Sequence, residues 1–251
     1  MTDLTGRVVV VTGGNSGLGL GMAHGAGRAG ATVVIWARTK TRNDSAVAEL
    51  TDAGITATAV ACDTTDEDAV AAAMRETVDA HGAVDCLIAN AGIAEAAPYV
   101  DTSLEQWHRV LRTNLDGTFL CTREAARHYV ERGGGGSMIV VSSMVSRYGG
   151  ARQAAYTASK NGLIGLGRTL AVELARYGVR VNILVPGWTR TAMNTDLQAD
   201  DAFMAATTAR TPVRRWADAD EFHAVTAFLA DPTLTFHTGN EVVVDGGYTI
   251  F

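Results

Sequence analysis

Seven short apolar runs recur along the chain, and longer amphipathic stretches lie between them. The runs are rich in valine and isoleucine and are bounded by Gly, Asp, Asn or Pro. They cover residues 7–12, 32–36, 56–62, 84–89, 137–142, 179–185 and 241–244. A half-exposed strand alternates apolar and polar residues, so runs without that alternation predict strands buried on both faces, as in a parallel sheet.

The stretches between the runs carry helical periodicity, most clearly at residues 20–29, 45–53, 67–80, 104–132 and 155–177. Alternation of strand and helix predicts βαβ units with right-handed crossovers. We therefore expect an α/β fold with a doubly wound, seven-stranded parallel sheet and helices on both faces. No Pro/Ser-rich linker interrupts the pattern, so residues 1–251 are expected to form a single domain. A long insertion after the sixth strand, at about 188–215, is typical of a lid or binding loop.

Composition excludes several classes of protein. Glycine accounts for 27 of 251 residues and proline for only 4, whereas disordered and collagen-like chains enrich both. The net charge of −6 without a basic run argues against nucleic-acid binding. No apolar stretch approaches the roughly 18–20 residues of a membrane span, and the first residues do not form a secretory signal. The cysteines, Cys62, Cys86 and Cys121, lack metal-ligand spacing, so we expect buried thiols, a cytoplasmic location and no metal.

A glycine-rich turn follows the first predicted strand and opens directly into a helix. Residues 12–19 read Thr-Gly-Gly-Asn-Ser-Gly-Leu-Gly. Glycines allow a pyrophosphate to approach the backbone, and the helix N-terminus supplies free N–H groups. No Lys-Ser/Thr pair follows, which disfavours a P-loop hydrolase. The alternative is a tight turn without a ligand. The candidate cofactor residues here are Gly13, Asn15, Ser16, Gly17, Leu18 and Gly19.

The spacing Gly-x3-Gly-x-Gly resembles the short-chain dehydrogenase/reductase (SDR) family. The resemblance covers nearly the whole chain and continues through Asp63, Asn90-Ala91-Gly92, Asn114, Ser143, Tyr156-x3-Lys160, Pro186-Gly187 and Asp245-Gly246-Gly247. It implies a single Rossmann domain similar to the 3-oxoacyl-ACP reductases and the glucose or gluconate dehydrogenases. The implied activity is interconversion of a carbonyl and a secondary alcohol by hydride transfer to or from NAD(P)(H), with a tyrosine as general acid and base.

The candidate catalytic residues are Ser143, Tyr156, Lys160 and Asn114. Tyr156 and Lys160 lie four residues apart and share one helix face. A nearby ammonium is expected to lower the pKa of the tyrosine, although such a pair can also be an ordinary exposed one. Ser143 ends the fifth strand and can bind a substrate oxygen, whereas its rival Ser142 lies on the opposite face of the strand. The resemblance implies that Lys160 also holds the nicotinamide ribose and that Asn114 positions a water linking Lys160 to solvent.

Cofactor preference depends on the end of the second strand. Enzymes that prefer NAD place a carboxylate there, but this chain has Ala37 followed by Arg38. A guanidinium suits a 2′-phosphate, so NADP(H) is favoured and NAD(H) stays possible; Arg38 could also be a simple solvated residue. The resemblance implies further contacts with the cofactor. Asp63 is expected to contact the adenine and Thr191 the phosphates, while Asn90, Ala91 and Gly92 lie beside the cofactor at the end of the fourth strand. The nicotinamide half is expected to contact Tyr156, Lys160, Pro186, Gly187 and the backbone of Thr189.

Substrate and assembly are less constrained. Loops at 93–100, 144–155 and 188–212 should bound the small-molecule carbonyl or alcohol substrate, and they mix apolar residues with Arg147, Arg152 and Arg190. An apolar ketone, an acyl thioester and a sugar acid all stay open. Alternatives to a dehydrogenase are a non-catalytic NADP-binding regulator and an epimerase or dehydratase. The resemblance implies a homotetramer or homodimer without nucleic-acid or membrane partners.

Overall fold

A parallel sheet runs through the centre of the molecule. The computed structural model describes residues 2–251, and these form seven strands: β1 Val8–Thr12, β2 Thr32–Ala37, β3 Ala57–Ala61, β4 Cys86–Ala89, β5 Gly136–Val141, β6 Val179–Pro186 and β7 Glu241–Val244. All neighbours are parallel, in the order β3-β2-β1-β4-β5-β6-β7. The predicted doubly wound α/β fold with a seven-stranded parallel sheet is confirmed.

Helices cover both faces of this sheet. They are α1 Gly17–Arg28, α2 Lys40–Asp52, α3 Glu67–His81, α4 Leu104–Leu111, α5 Gly117–Arg132, α6 Ala154–Leu174, α7 Thr195–Gln198, α8 Asp201–Arg210 and α9 His223–Ala230. The predicted continuous helix at 104–132 is wrong, because a π-helical turn, Arg112–Asp116, separates α4 from α5. The predicted helix at 155–177 ends earlier, in a 3₁₀ turn at Ala175–Tyr177.

Two apolar cores lie on opposite sides of the sheet. On one side, β1 and β2 side chains such as Val11 and Ile35 pack against α1, α2 and α9. On the other, Val10, Trp36 and Val140 pack against α3, α5 and α6. Alternate residues of each strand enter opposite cores, which explains why the strand sequences are apolar at nearly every position.

The order of strands reverses beside β1. Val10 pairs with Val34 of β2 on one side and with Leu87 of β4 on the other. The chain winds outward in one direction through β2 and β3, then in the other direction from β4 to β7. Connections leave β1 and β4 in opposite directions, so a crevice opens at their carboxyl ends, where ligands bind in this type of fold.

The first helix packs unusually close to the segment that precedes α9. A Cβ built at Gly21 would lie 2.3 Å from the backbone oxygen of Ala219, and one at Gly25 would lie 2.6 Å from the Cα of His223. Glycines therefore allow α1 to approach this segment at backbone distance. Within residues 2–251, none of the helices is long and apolar enough to span a bilayer.

Gly21→Ala tests this close approach. The added methyl would meet backbone that cannot move aside cheaply, so we expect a loss of about 1–3 kcal/mol in the free energy of unfolding. Chemical denaturation measures the change. Gly149→Ala is the control, because a Cβ there meets nothing within 4 Å and should change stability by less than about 0.5 kcal/mol. Equal stability of the two variants would contradict the packing argument.

Candidate active site

One cleft at the carboxyl ends of the strands collects nearly all the residues singled out in the sequence. Its volume is about 610 Å³. The lining includes every candidate cofactor residue and Ser143: Gly13, Asn15, Ser16, Gly17, Leu18, Gly19, Arg38, Asp63, Asn90, Ala91, Gly92, Ser143, Tyr156, Lys160, Pro186, Gly187, Thr189 and Thr191. Asn114 is the exception, since it lies behind the lining.

The glycine turn brings the backbone to the floor of the cleft. Gly13 has a φ of +65°, and a Cβ there would lie 3.1 Å from Ala91 Cα. At Gly19 a Cβ would lie 2.3 Å from the backbone oxygen of Gly13. In the described chain, Leu20 is the first amide of α1 to donate a backbone hydrogen bond, to Ser16 O at 3.2 Å. The preceding amides face the cleft at the positive end of the helix dipole, which suits a pyrophosphate.

A hydroxyl joins this turn to the end of β4. Thr12 Oγ1 accepts hydrogen bonds from the amides of Asn90 at 2.9 Å and Ala91 at 3.0 Å. The Asn90 side chain returns a bond from Nδ2 to Thr12 O at 3.0 Å. Because these bonds link segments 78 residues apart, they hold the two walls of the crevice at a fixed separation.

The far end of the cleft, after β2 and β3, carries positive charge. Arg38 lies 3.9 Å from Asp63, and two-thirds of its side chain is exposed. Hydrogen bonds from Thr65 and the nearby arginine hold the pKa of Asp63 below its ordinary value, against the opposing effect of burial. The lining also includes Arg42, which was not selected from the sequence. Its position just after Arg38, across the start of α2, was the available signal.

Asn43 is a supporting residue that the sequence reasoning missed. Its buried side chain donates to Ala37 O at 2.8 Å and accepts from Asn15 Nδ2 at 2.7 Å. It therefore connects the glycine turn to the end of β2. Nothing in the local sequence distinguishes it from an ordinary polar residue of a helix, since Ala37 contributes only a backbone oxygen and Asn15 lies 28 residues away.

Ser143 and Tyr156 lie side by side in the cleft. Burial raises the pKa of the Tyr156 phenol above its ordinary value, and the neighbouring hydroxyl of Ser143 opposes part of that rise. Ser143 extends from the end of β5 and also accepts a bond from the amide of Val145 at 3.4 Å. Ser142 donates to Lys160 O at 2.8 Å instead, so it supports the backbone of α6.

Lys160 lies next to the tyrosine but is directed at the backbone. Its ammonium donates to Val141 O at 2.9 Å and lies 5.7 Å from the centre of the Tyr156 ring. Burial lowers the pKa of Lys160 to about 8. The expected lowering of the Tyr156 pKa by this lysine is wrong for the observed arrangement, because desolvation has the larger effect and raises the pKa.

Asn114 occupies the π-helical turn and is completely buried. Its Oδ1 accepts from the amide of Ile93 at 2.8 Å, and its Nδ2 donates to Ile93 O at 2.9 Å and Ser159 Oγ at 3.0 Å. It thus ties the loop after β4 to the helix that carries Tyr156 and Lys160.

The segment after β6 is ordered by a second set of bonds. Thr191 caps a 3₁₀ turn, Ala192–Asn194, in reciprocal bonds with Asn194. Asn194 also donates to Thr189 O at 2.9 Å, and Gln198 donates to Thr191 O at 2.9 Å. The two amides, Asn194 and Gln198, were not identified from the sequence. The polar residues that follow Pro186-Gly187 in the sequence were the available signal for them.

The fold and the cleft together define a dinucleotide-binding oxidoreductase. A sequence model described as enoyl-(acyl carrier protein) reductase matches residues 13–249. The chain belongs to the short-chain dehydrogenase/reductase family, as its motifs predicted. It is accordingly an NAD(P)(H)-dependent oxidoreductase that interconverts a carbonyl and an alcohol, rather than a non-catalytic regulator or an epimerase or dehydratase.

Several relatives match over nearly their whole length. A cis-4-hydroxycyclohexanecarboxylate dehydrogenase from Sinomonas cyclohexanicum is 41% identical over 97% of this chain and 96% of its own. A 5-keto-D-gluconate 5-reductase from Escherichia coli is 34% identical over 99% of this chain and 97% of its own. The crystal structure of a gluconate 5-dehydrogenase from Burkholderia cenocepacia, in complex with NADP and tartrate, is 35% identical with a TM-score of 0.95, covering 99% of this chain and 97% of that one.

Asn114→Ala tests the buried amide. The substitution leaves the amide and carbonyl of Ile93 without their partner, so we expect a loss of about 2–4 kcal/mol in unfolding free energy. Thermal or chemical denaturation measures it, alongside turnover. Asn161→Ala is the control, since that exposed side chain bonds only to Thr157 O one turn earlier. A stability change no larger than the control's would argue against the linking role of Asn114.

Proposed function

We propose that Tyr156, Ser143 and Lys160 carry out proton transfer for hydride exchange between NADP(H) and a small carbonyl compound or secondary alcohol. The observation that supports this most directly is that all three side chains line one cleft, with the Ser143 hydroxyl near the phenol and the ammonium of Lys160 5.7 Å from the centre of the Tyr156 ring. The bound cofactor would supply or accept the hydride. Ser143 would hold the substrate oxygen, and Tyr156 would exchange a proton with it.

Because the pKa of Tyr156 is raised, reduction of a carbonyl and oxidation of an alcohol depend differently on the protonation state of this residue. At neutral pH the phenol keeps its proton, so the side chain can act as an acid toward a carbonyl oxygen. Oxidation of an alcohol needs the phenolate, whose population increases as pH rises toward the pKa. Lys160, with a pKa of about 8, would be charged at neutral pH and would stabilise the developing phenolate.

Asn114 and Lys160 would act as positioning residues around this pair. Asn114 fixes the loop at Ile93 against Ser159, one residue before Lys160. Lys160 has one backbone acceptor, Val141 O, and an ammonium has three donors. The remaining donors are suited to a ribose hydroxyl and to the water chain that the family resemblance implies.

Tyr156→Phe tests the proton-transfer role. We expect kcat/KM to fall by about 10²–10⁴-fold because the phenyl ring cannot exchange a proton, while the Kd for NADPH changes by less than about threefold, since the lost hydroxyl is one contact among many. Steady-state kinetics and fluorescence titration measure the two quantities. Tyr99→Phe is the matched control, because Tyr99 is exposed and lies outside the cleft lining. Turnover close to the unmodified enzyme in Tyr156→Phe would refute the assignment.

Preference for NADP(H) over NAD(H) is supported by the end of β2. Arg38 and Arg42 line the cleft next to Ala37. Ala37 occupies the position at which enzymes that prefer NAD have a ribose-binding carboxylate. Two guanidinium groups suit a 2′-phosphate. The structure of the gluconate 5-dehydrogenase with NADP supports the same cofactor. The remaining candidate residues would hold it as the resemblance implies, with the glycine turn at the pyrophosphate and Asp63 near the adenine.

Arg38→Ala tests this preference. We expect the ratio of kcat/KM for NADPH to kcat/KM for NADH to fall by about 10–100-fold, because a charge-assisted bond to the phosphate contributes about 1.5–3 kcal/mol. The control is Lys40→Ala, whose side chain pairs with Asp44 at the surface; its ratio should change by less than about twofold. An unchanged ratio in Arg38→Ala would exclude Arg38 as the discriminating residue.

Names of relatives do not select one substrate for this chain. The protein from S. cyclohexanicum is named for a hydroxycyclohexane carboxylate, and that from E. coli for a keto sugar acid. We propose that residues 188–215 form the lid over whichever carbonyl compound binds. This segment holds α7, α8 and the exposed Met193, whose side chain is 57% exposed at the edge of the cleft.

We also propose a homotetramer, or a homodimer, working in the cytoplasm. Large apolar side chains are exposed at the C-terminal tail and on α6, with Ile250 at 91%, Phe251 at 70% and Val172 at 82% exposure. Such side chains favour burial against another copy. The free and buried thiols Cys62, Cys86 and Cys121 suit a reducing compartment.

A further inference from the structure

Within residues 2–251, the wall of the cleft beyond Ser143 and Tyr156 carries no ionisable side chain. It is formed by the loops after β4, β5 and β6, and its apolar members are Ile93, Met144, Val145, Trp188, Met193 and Leu197. The charged lining residues lie elsewhere: Arg38, Arg42 and Asp63 follow β2 and β3, and Lys160 is directed at Val141 O.

The three arginines that the sequence placed in these loops do not contribute charge to that wall. Arg147 is paired with Glu241, which also binds Arg168. Arg190 donates to Trp216 O at 3.3 Å and to Asp218 at 3.4 Å. Arg152 is exposed and lies outside the lining.

The acid in the loop after β4 is neutralised in the same way. Glu95 accepts bonds of 2.7 and 2.8 Å from the guanidinium of Arg109. Neither residue belongs to the lining. A substrate carboxylate or ammonium brought against this wall would therefore lose its hydration without meeting a compensating charge in the wall.

Trp188 gives this wall a rigid flat surface. Its indole stacks on Trp216 with ring centres 4.9 Å apart, and Phe203 meets it edge-on at 5.3 Å. Trp216 is completely buried and donates from Nε1 to Thr207 at 2.9 Å. With its partner fixed in this way, Trp188 presents a rigid indole to the cleft, and its Nε1 is a buried donor without a hydrogen-bond partner.

Gln153 is an uncharged polar side chain available to a substituent in this region. It lies in the lining at the N-terminus of α6, three residues before Tyr156, and makes no capping bond to that helix. Its Oε1 lies over Gly150, where an added Cβ would come within 2.7 Å of it. The other amide nearby, Asn194, is already engaged with Thr191 and Thr189.

We infer that the substrate is a compact ketone or secondary alcohol with a hydrocarbon framework and one polar substituent, which hydrogen-bonds to the amide of Gln153. This inference rests on the proposed function and names the substrate class of the same site. A polyhydroxylated chain is disfavoured, because each hydroxyl brought against Met144 or Val145 would lose its water without gaining a partner. The flat face of Trp188 fits a ring.

The first experiment compares three ketones in NADPH-dependent reduction: cyclohexanone, 4-hydroxycyclohexanone and the open-chain keto acid 5-keto-D-gluconate. We expect kcat/KM for 4-hydroxycyclohexanone to exceed that for the keto acid by at least about 100-fold. A higher kcat/KM for the keto acid, or no reduction of either cyclic ketone, overturns the substrate class.

The second experiment removes the side-chain amide of Gln153 or displaces it from its position over Gly150. In Gln153→Leu, the ratio of kcat/KM for 4-hydroxycyclohexanone to that for cyclohexanone should fall by about tenfold, the value of one neutral hydrogen bond. Gly150→Ala should lower the same ratio by displacing the amide. The matched controls are Gln106→Leu, on α4 outside the lining, and Gly149→Ala, where a Cβ meets nothing within 4 Å. An unchanged ratio in Gln153→Leu overturns the role of Gln153.

Tyr156→Phe separates the failure of this inference from failure of the proposed function. If the keto acid is the better substrate and Tyr156→Phe abolishes its reduction, the chemistry stands and only the substrate class is wrong. If reduction of any of the three ketones survives in Tyr156→Phe, the proposed chemistry itself is wrong.

Discussion

The hydroxyl of Thr12 provides the connection on which the rest of the site depends. It accepts bonds from two consecutive amides at the end of β4 while its own backbone receives Asn90 Nδ2. A parallel sheet fixes the spacing of its strands but leaves the loops at their carboxyl ends free to separate. The hydrogen bonds that Thr12 accepts from Asn90 and Ala91 hold the loops after β1 and β4 together at the crevice. The glycine turn on one side and the wall from Asn90 to Gly92 on the other can then grip a single extended ligand.

Desolvation has a comparable role on the other side of the cleft. Tyr156 and Lys160 are both shifted by burial in the direction that favours their neutral forms. The pair is thus held in a low-dielectric setting where small displacements of one charge strongly affect the other. Ser143 is the polar neighbour that limits the rise in the tyrosine pKa, so it contributes to the electrostatics of the pair.

Much of this architecture could be predicted from the sequence, because the determining patterns are local. Strands apolar on both faces indicated the parallel sheet, and the glycine spacing before α1 indicated the phosphate turn. The interruption at Asn114 was not predicted, because the residues on either side of it each fit a helical pattern and no proline marks the break. The pairing of Arg147 with Glu241 joins residues 94 positions apart. Such long-range partners decide whether a charge enters the cleft. The direction of the pKa shifts of Tyr156 and Lys160 could not be predicted either, because burial causes them and burial depends on the tertiary packing.

The π-helical turn also limits where residues can be inserted into or deleted from the chain. It contains one residue more than an α-helical path between the same two ends. Each residue of an α-helix advances the side chains by about 100° around the axis. Loss of a single residue from Arg112–Asp116 would therefore rotate α5 relative to α4, moving Cys121 and Tyr129 off the core that they now fill. Among related sequences, insertions and deletions should accumulate in the surface loops and avoid this turn.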